Sequence, residues 1–182
     1  VNYMTGSHGT HNLSTSLSGA DEKNNFFIGL ERFQTDGIST MMHNNEKDRY
    51  RNNSLVANYG HVLSDKLEFT TNTRIAETYL QYDAESSSSG FAHNEEQDTL
   101  EASSNIALVY KPMENFTNKF TLANTYIKRI YGAAPGSKNI SKDNYYGDRY
   151  AFMYSGNYNF NLDTSVVFGS EREEDEMGFN QN

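Results

Sequence analysis

Four aromatic residues, Tyr79, Tyr82, Phe91 and Tyr131, are the side chains best placed by type and position to hold a molecule. They border two long polar stretches, where their rings could lie against a flat, partly apolar ligand. The same rings would serve equally as an interfacial belt, because an amphipathic ring suits a boundary between apolar and wet surroundings. Bond-making chemistry finds less material. His8, His11, His43, His61 and His93 are scattered and read as ordinary surface or lumen histidines. Serines abound, but no Gly-x-Ser-x-Gly elbow occurs. With no cysteine, thiolate chemistry and disulfide frames are excluded. The expectation is a protein that is not an enzyme.

The elements that would position these rings are strands. In Tyr150–Phe160, the residues Tyr150, Phe152, Tyr154, Tyr158 and Phe160 share one parity, with Gly156 among them. Ala151, Met153, Ser155, Asn157 and Asn159 hold the other. A period of two belongs to an extended chain whose faces meet different surroundings. Eleven residues at ~3.3 Å make roughly 35 Å of strand. Tilted by about 40°, that length approaches the ~25 Å apolar band of a membrane barrel, whereas a typical soluble strand has only about five or six residues.

Composition narrows the class. The chain has 182 residues, 13 Tyr, 11 Phe, 2 Pro and a formal charge of −9. Its aromatic content, 13%, is too high for a disordered chain. The acidic balance argues against a nucleic-acid partner, which would need a basic stripe. Nowhere do about 18 apolar residues run together, so no spanning helix is expected. Barrel strands escape that test, since only alternate residues face lipid. The chain starts Val1-Asn2-Tyr3-Met4 with no signal-like segment and ends on polar residues, which reads as an internal piece of a longer protein.

Taken in order, two-faced runs cover 8–18, 25–36, 55–63, 67–82, 100–110, 120–131, 150–160 and 164–176, with Val1–Met4 as the tail of one more strand. Short turns are expected after Ser18, Leu63, Tyr110 and Phe160, the third of them over Lys111-Pro112-Met113-Glu114-Asn115. Long polar loops are expected at 37–52, 83–97 and 132–144. Short and long alternate strictly, so one rim is trimmed and the other elaborated, as in bacterial outer-membrane barrels. Glu31, Glu68, Asn72, Arg74, Glu101 and Asn157 fall opposite the aromatic and aliphatic stripe. A charge facing the bilayer midplane costs about 2–4 kcal/mol, so that face should look into a wet or plugged lumen. The expected fold is all-β: an antiparallel up-and-down meander of about eight long strands, spanning 1–182 and forming part of a transmembrane β-barrel.

Several segments together resemble the barrel of TonB-dependent outer-membrane receptors, the cobalamin-transporter-like group in particular. They are Gly6-Ser7-His8-Gly9-Thr10, Ser16-Leu17-Ser18-Gly19, and Phe26-Phe27-Ile28-Gly29-Leu30 leading to Thr35-Asp36-Gly37-Ile38-Ser39. Asp48-Arg49-Tyr50-Arg51-Asn52, Leu63-Ser64-Asp65-Lys66-Leu67 and Phe168-Gly169-Ser170-Glu171-Arg172-Glu173-Glu174 complete the set. The resemblance implies a 22-stranded barrel around a plug, placement in the bacterial outer membrane, and uptake of cobalamin or a ferric siderophore powered through TonB. The partners implied are membrane lipid, the small-molecule substrate and, through a plug absent from this stretch, the TonB system. It also implies calcium in an early extracellular loop, for which Asp36, Glu46 and Asp48 supply oxygen ligands. The run Glu171–Glu176 could lend a second site or simply be a solvated strand end. A passive porin or small structural barrel is the alternative, and it would need neither plug nor TonB.

Overall fold

A computed structural model describes residues 1–39, 47–85, 92–133 and 142–181. Its nine strands are β1 (Asn2–Gly6), β2 (Thr10–Ala20), β3 (Asn24–Thr35), β4 (Tyr50–Ser64), β5 (Leu67–Glu85), β6 (Ala92–Met113), β7 (Phe116–Ala133), β8 (Lys142–Asn159) and β9 (Ser165–Gln181). They form one sheet in chain order, each antiparallel to the next. No helix occurs among the described residues. Among the described residues strands make contacts only with their sequence neighbours, which leaves β1 and β9 as the edges of the sheet. The expected all-β meander is what the chain adopts, with eight long strands and a ninth, β1, of 5 residues.

Local chemistry explains most turns. At the β1–β2 turn His8 and Gly9 have φ of 57° and 65°, the left-handed pair that a tight antiparallel turn with sheet-matching twist requires. At the β2–β3 turn the Asp21 carboxylate accepts the backbone N–H of Lys23 and Asn24 at 2.8 and 2.7 Å. These bonds hold its carboxyl below the usual value of 3.8.

Three expectations need correction. The expected turn over 111–115 is confined to Glu114-Asn115, and Lys111-Pro112-Met113 is the end of β6, with the register slipping between Tyr110 and Met113. Proline is tolerated there because the slip removes a ladder position it could not fill. The polar stretches also pair further than expected, β5 with β6 to Glu85↔Ala92 and β7 with β8 to Gly132↔Lys142. Polar side chains do not end a strand when the neighbouring backbone still completes its hydrogen bonds. Finally, the β1–β2 turn is short yet lies on the elaborated rim, which breaks the strict alternation.

The sheet has no core in the ordinary sense. Among the described residues only Ala76 and Ala107 are buried apolar side chains, and no large side chain is fully buried. Tyr150 is 59% exposed and Phe152 44%, with no second layer over them. A single sheet of this size cannot offset its chain entropy by internal burial alone.

Apolar residues instead form a band on one face, and the band runs obliquely. The hydrogen-bonding line through Leu17 crosses Ile28, Ala57, Thr73, Ser104, Asn124 and Tyr150 and ends on Glu174. On β2 the band is Leu13–Leu17, and on β4 it is Leu55–Tyr59. On β5 it covers Leu67–Ile75, on β7 Phe116–Leu122, and on β9 Val166 and Phe168. Phe168 lies six residues from Glu174 along β9, counting 174 minus 168. The drift is therefore about one residue per strand. At ~3.3 Å per residue and ~4.8 Å between strands this is an angle of roughly 30–35°. Strands of outer-membrane barrels tilt by about 35–45°. The band thus follows a flat apolar slab cutting strands at an angle close to the lower end of barrel tilt.

Two details keep that face continuous. A methyl on Gly156 would overlap the Phe168 ring, so the glycine in the aromatic strand is the bed on which β9 lays its phenyl group. Asn118, only 7% exposed, is a buried amide inside the band. Its Oδ1 accepts the Tyr154 hydroxyl at 2.8 Å and its Nδ2 donates to the Tyr110 carbonyl at 3.4 Å, so its polarity is matched.

Candidate functional site

The face opposite the band is predominantly polar, with Phe27, Val56 and Val167 among its apolar exceptions. Glu31, Glu68, Asn72, Arg74, Glu101 and Asn157 all lie on it, as their parity requires. Arg74 Nη1 stands 3.6 Å from Glu101 Oε2, and Asn72 Nδ2 donates to Asn105 Oδ1 at 3.0 Å. Asn12 Nδ2 donates to Glu31 Oε1 at 2.9 Å. Arg149 grips Asp175 with two bonds, Nε to Oδ1 at 2.7 Å and Nη2 to Oδ2 at 2.8 Å. The planar fork of arginine matches a carboxylate in this way, which fixes β8 against β9. This wall is hydrogen-bonded, charged and suited to water or a polar neighbour.

The aromatic residues expected at the rim divide between the faces. Tyr79 lies on the apolar-band face but beyond the band, in a charged row. Its hydroxyl donates to Glu96 Oε2 at 3.1 Å, Arg51 sits 5.5 Å from its ring centroid, and Lys142 stands 3.6 Å from Glu96 Oε1. Tyr82 and Tyr131 are on the polar face, also beyond the band. Tyr82 donates to Glu95 Oε2 at 3.0 Å. Burial first, and then that hydrogen bond, push its phenol up to about 12, so it remains a donor. Phe91 lies outside the described residues.

Of the carboxylates expected to hold calcium, Asp36 and Asp48 come to the same corner of the elaborated rim, and Glu46 lies outside the described residues. Gly37, with φ of 68°, lets the two segments touch, since a side chain there would strike the Asp48 carbonyl. Asp36 is engaged by Lys47, whose Nζ lies 3.3 Å from its Oδ2. Among the described residues no group of three metal-ligating side chains forms. Oxygen donors alone would suit calcium, but an ammonium beside Asp36 competes with it.

One cluster escaped the sequence reading. Tyr131, Tyr145 and Phe179 make a chain of rings across β7, β8 and β9 on the polar face, with centroids 5.6 and 4.8 Å apart. Arg129 and Asp143 flank them. Parity alone would have put Arg129 with Tyr131; only the register brings in Tyr145 and Phe179.

Comparison with protein-family models and with curated proteins finds no match to this chain.

Proposed function

We propose that this chain is a wall segment of a TonB-dependent outer-membrane receptor that takes up a scarce nutrient such as cobalamin or a ferric siderophore. The oblique apolar band is the observation that carries the membrane part of the reading. A soluble sheet has no reason to keep a band close to barrel tilt across neighbouring strands, and a bilayer imposes one. Its apolar face meets lipid and its polar face meets a wet or plugged lumen. The long-loop rim faces outward, and the short turns lie on the periplasmic side. Receptor rather than pore rests on the motif resemblance and on the aromatic residues of that outer rim. The segment performs no covalent chemistry; it contributes lipid-facing wall, lumenal contacts and rim contacts to substrate, while TonB acts through the plug. Asp36 and Asp48 are its candidate calcium ligands.

A passive porin or small structural barrel remains the second reading, because a polar face this rich in amides and hydroxyls also suits a water-filled pore. Expression from the complete reading frame in a Gram-negative cell separates the two. The expected result is recovery in the outer-membrane fraction, a plug-sized domain encoded before Val1, and uptake of labelled cobalamin or ferric siderophore that stops in a host lacking TonB. Uptake that continues without TonB would favour the porin. Recovery as a soluble protein would end both readings.

A further inference from the structure

We infer that the polar face of β7–β9, at the elaborated rim, binds a planar anionic ring compound that also carries a hydrogen-bond donor. This rests on the transport reading and adds the class of ligand to it. The four lining residues are Arg129 and Tyr131 from β7 and Asp143 and Tyr145 from β8, around a cleft of about 390 Å³. That volume is within the range of small-molecule sites, about 300–1,000 Å³. The register pairs Arg129 with Tyr145 and Tyr131 with Asp143, so cation, carboxylate and two phenols form adjacent pairs on one face.

Three features coincide in this patch. First, its rings are bare and in contact: Tyr145 is 45% exposed and Phe179 50%, with their centroids 4.8 Å apart, whereas Phe27 and Val167, exposed apolar side chains elsewhere on this face, make no such stack among the described residues. A stack of exposed rings presents a surface on which another ring gains contact and quadrupole complementarity. Second, Arg74 and Arg149 on this face are each held by a carboxylate. Arg129 has no such partner among the described residues, although it is the arginine beside the rings. Third, Asp143 Oδ1 is buried and accepts no hydrogen bond among the described residues, and of the buried unmet oxygens on this face, Asn12 and Asn157 included, it is the one beside the rings and Arg129. An unmet buried acceptor is costly, and a donor on a ligand would relieve it. Together these groups specify the occupant. Its anion meets the Arg129 guanidinium, its ring lies along Tyr145 and Phe179, and its O–H or N–H reaches Asp143. A purely aliphatic acid lacks the second and third contacts, and a neutral phenol lacks the first.

Salicylate, 2-hydroxybenzoate, combines all three features and is the probe. Its binding to the full-length protein in detergent micelles is measured by calorimetry, with cyclohexanecarboxylate and phenol as the incomplete ligands. Salicylate should bind at least about tenfold tighter than either. Arg129→Gln should weaken it by about tenfold or more, Tyr145→Ala by a smaller factor, and Arg129→Lys should restore part of the loss. Heat-modifiable migration on gels verifies that each variant is folded, and Arg129 is exposed enough for its replacement to leave the sheet intact. Equal binding of salicylate and cyclohexanecarboxylate, or indifference to Arg129→Gln, would overturn the inference. A protein recovered from the outer membrane that ignores salicylate refutes this site and leaves the wall reading standing. Failure to reach the membrane refutes the wall reading instead.

Discussion

Ile75 and Arg74 are neighbours in β5, yet they belong to different surroundings. Ile75 stands in a row with Leu55 and Ala102, 41% exposed and with no layer above it. Arg74 turns the other way and meets Glu101. The contrast repeats on β2, β6 and β7, and it bears on how a sheet with almost nothing buried can exist. On the membrane reading proposed above, each face is finished by its medium rather than by the protein itself. The difference teaches that stability here is a property of sheet and surroundings together, so the two faces should respond oppositely to the same substitution.

The largest effect should come from placing a charge on each face in turn. Ile106→Arg, inside the band, should lower folding stability in lipid vesicles by about 2–4 kcal/mol, while Asn105→Arg beside it should change it by less than about 0.5 kcal/mol. Denaturant titration of the bilayer-folded full-length protein measures both. Equal losses would break the comparison.

Obliquity gives the next test. Phe168→Lys should cost about 2 kcal/mol in the same assay, whereas Glu174→Lys should be nearly neutral. Glu174 stands in line with Leu17 across the sheet, so a band perpendicular to the strands would predict the reverse order of sensitivity.

The polar exception inside the band sharpens the picture. Asn118→Leu should cost about 1–3 kcal/mol, because the Tyr154 hydroxyl then loses its acceptor. Adding Tyr154→Phe should recover part of that loss, a positive coupling visible in a double-mutant cycle. Additive losses would mean that the hydrogen bond does not matter.

Smallest of all is the turn carboxylate at Asp21, away from both faces. Its depressed pKa means that its contribution is present above 3.8 and fades as pH falls through the lower folded value. The Lys23 and Asn24 amide resonances should therefore titrate below 3.8, and a midpoint at or above it would contradict the turn geometry. Asp21→Asn should abolish the titration and leave the rest of the sheet unchanged.

Much of this was readable from the sequence because a strand writes its two faces into alternate positions. The polarity of Glu68, Asn72, Arg74 and Glu101 against Leu67, Phe69 and Ile75 identified both faces before any register was known. What parity cannot convey is offset between strands. The slant of the band, the bed that Gly156 makes for Phe168, and the meeting of Tyr131 with Tyr145 all depend on which residues pair across a gap. Tyr79 and Tyr82 show the limit from the other side: both border the same stretch, but three positions apart they cannot share a face. Pro112 misled because its missing donor signals a break in the ladder, and a register slip satisfies that as well as a turn.

Pairing of β5 with β6 continues from Leu67↔Tyr110 to Glu85↔Ala92, although the band on β5 stops at Ile75. Ten further residues, 75 to 85, extend roughly 25 Å in height after tilt. This hairpin is a parapet almost as tall as the greasy layer is deep. On the membrane reading, the paired stretch beyond Ile75 should stand in open solvent over the headgroups, accessible to an antibody or a fluorescent label without disturbing the bilayer.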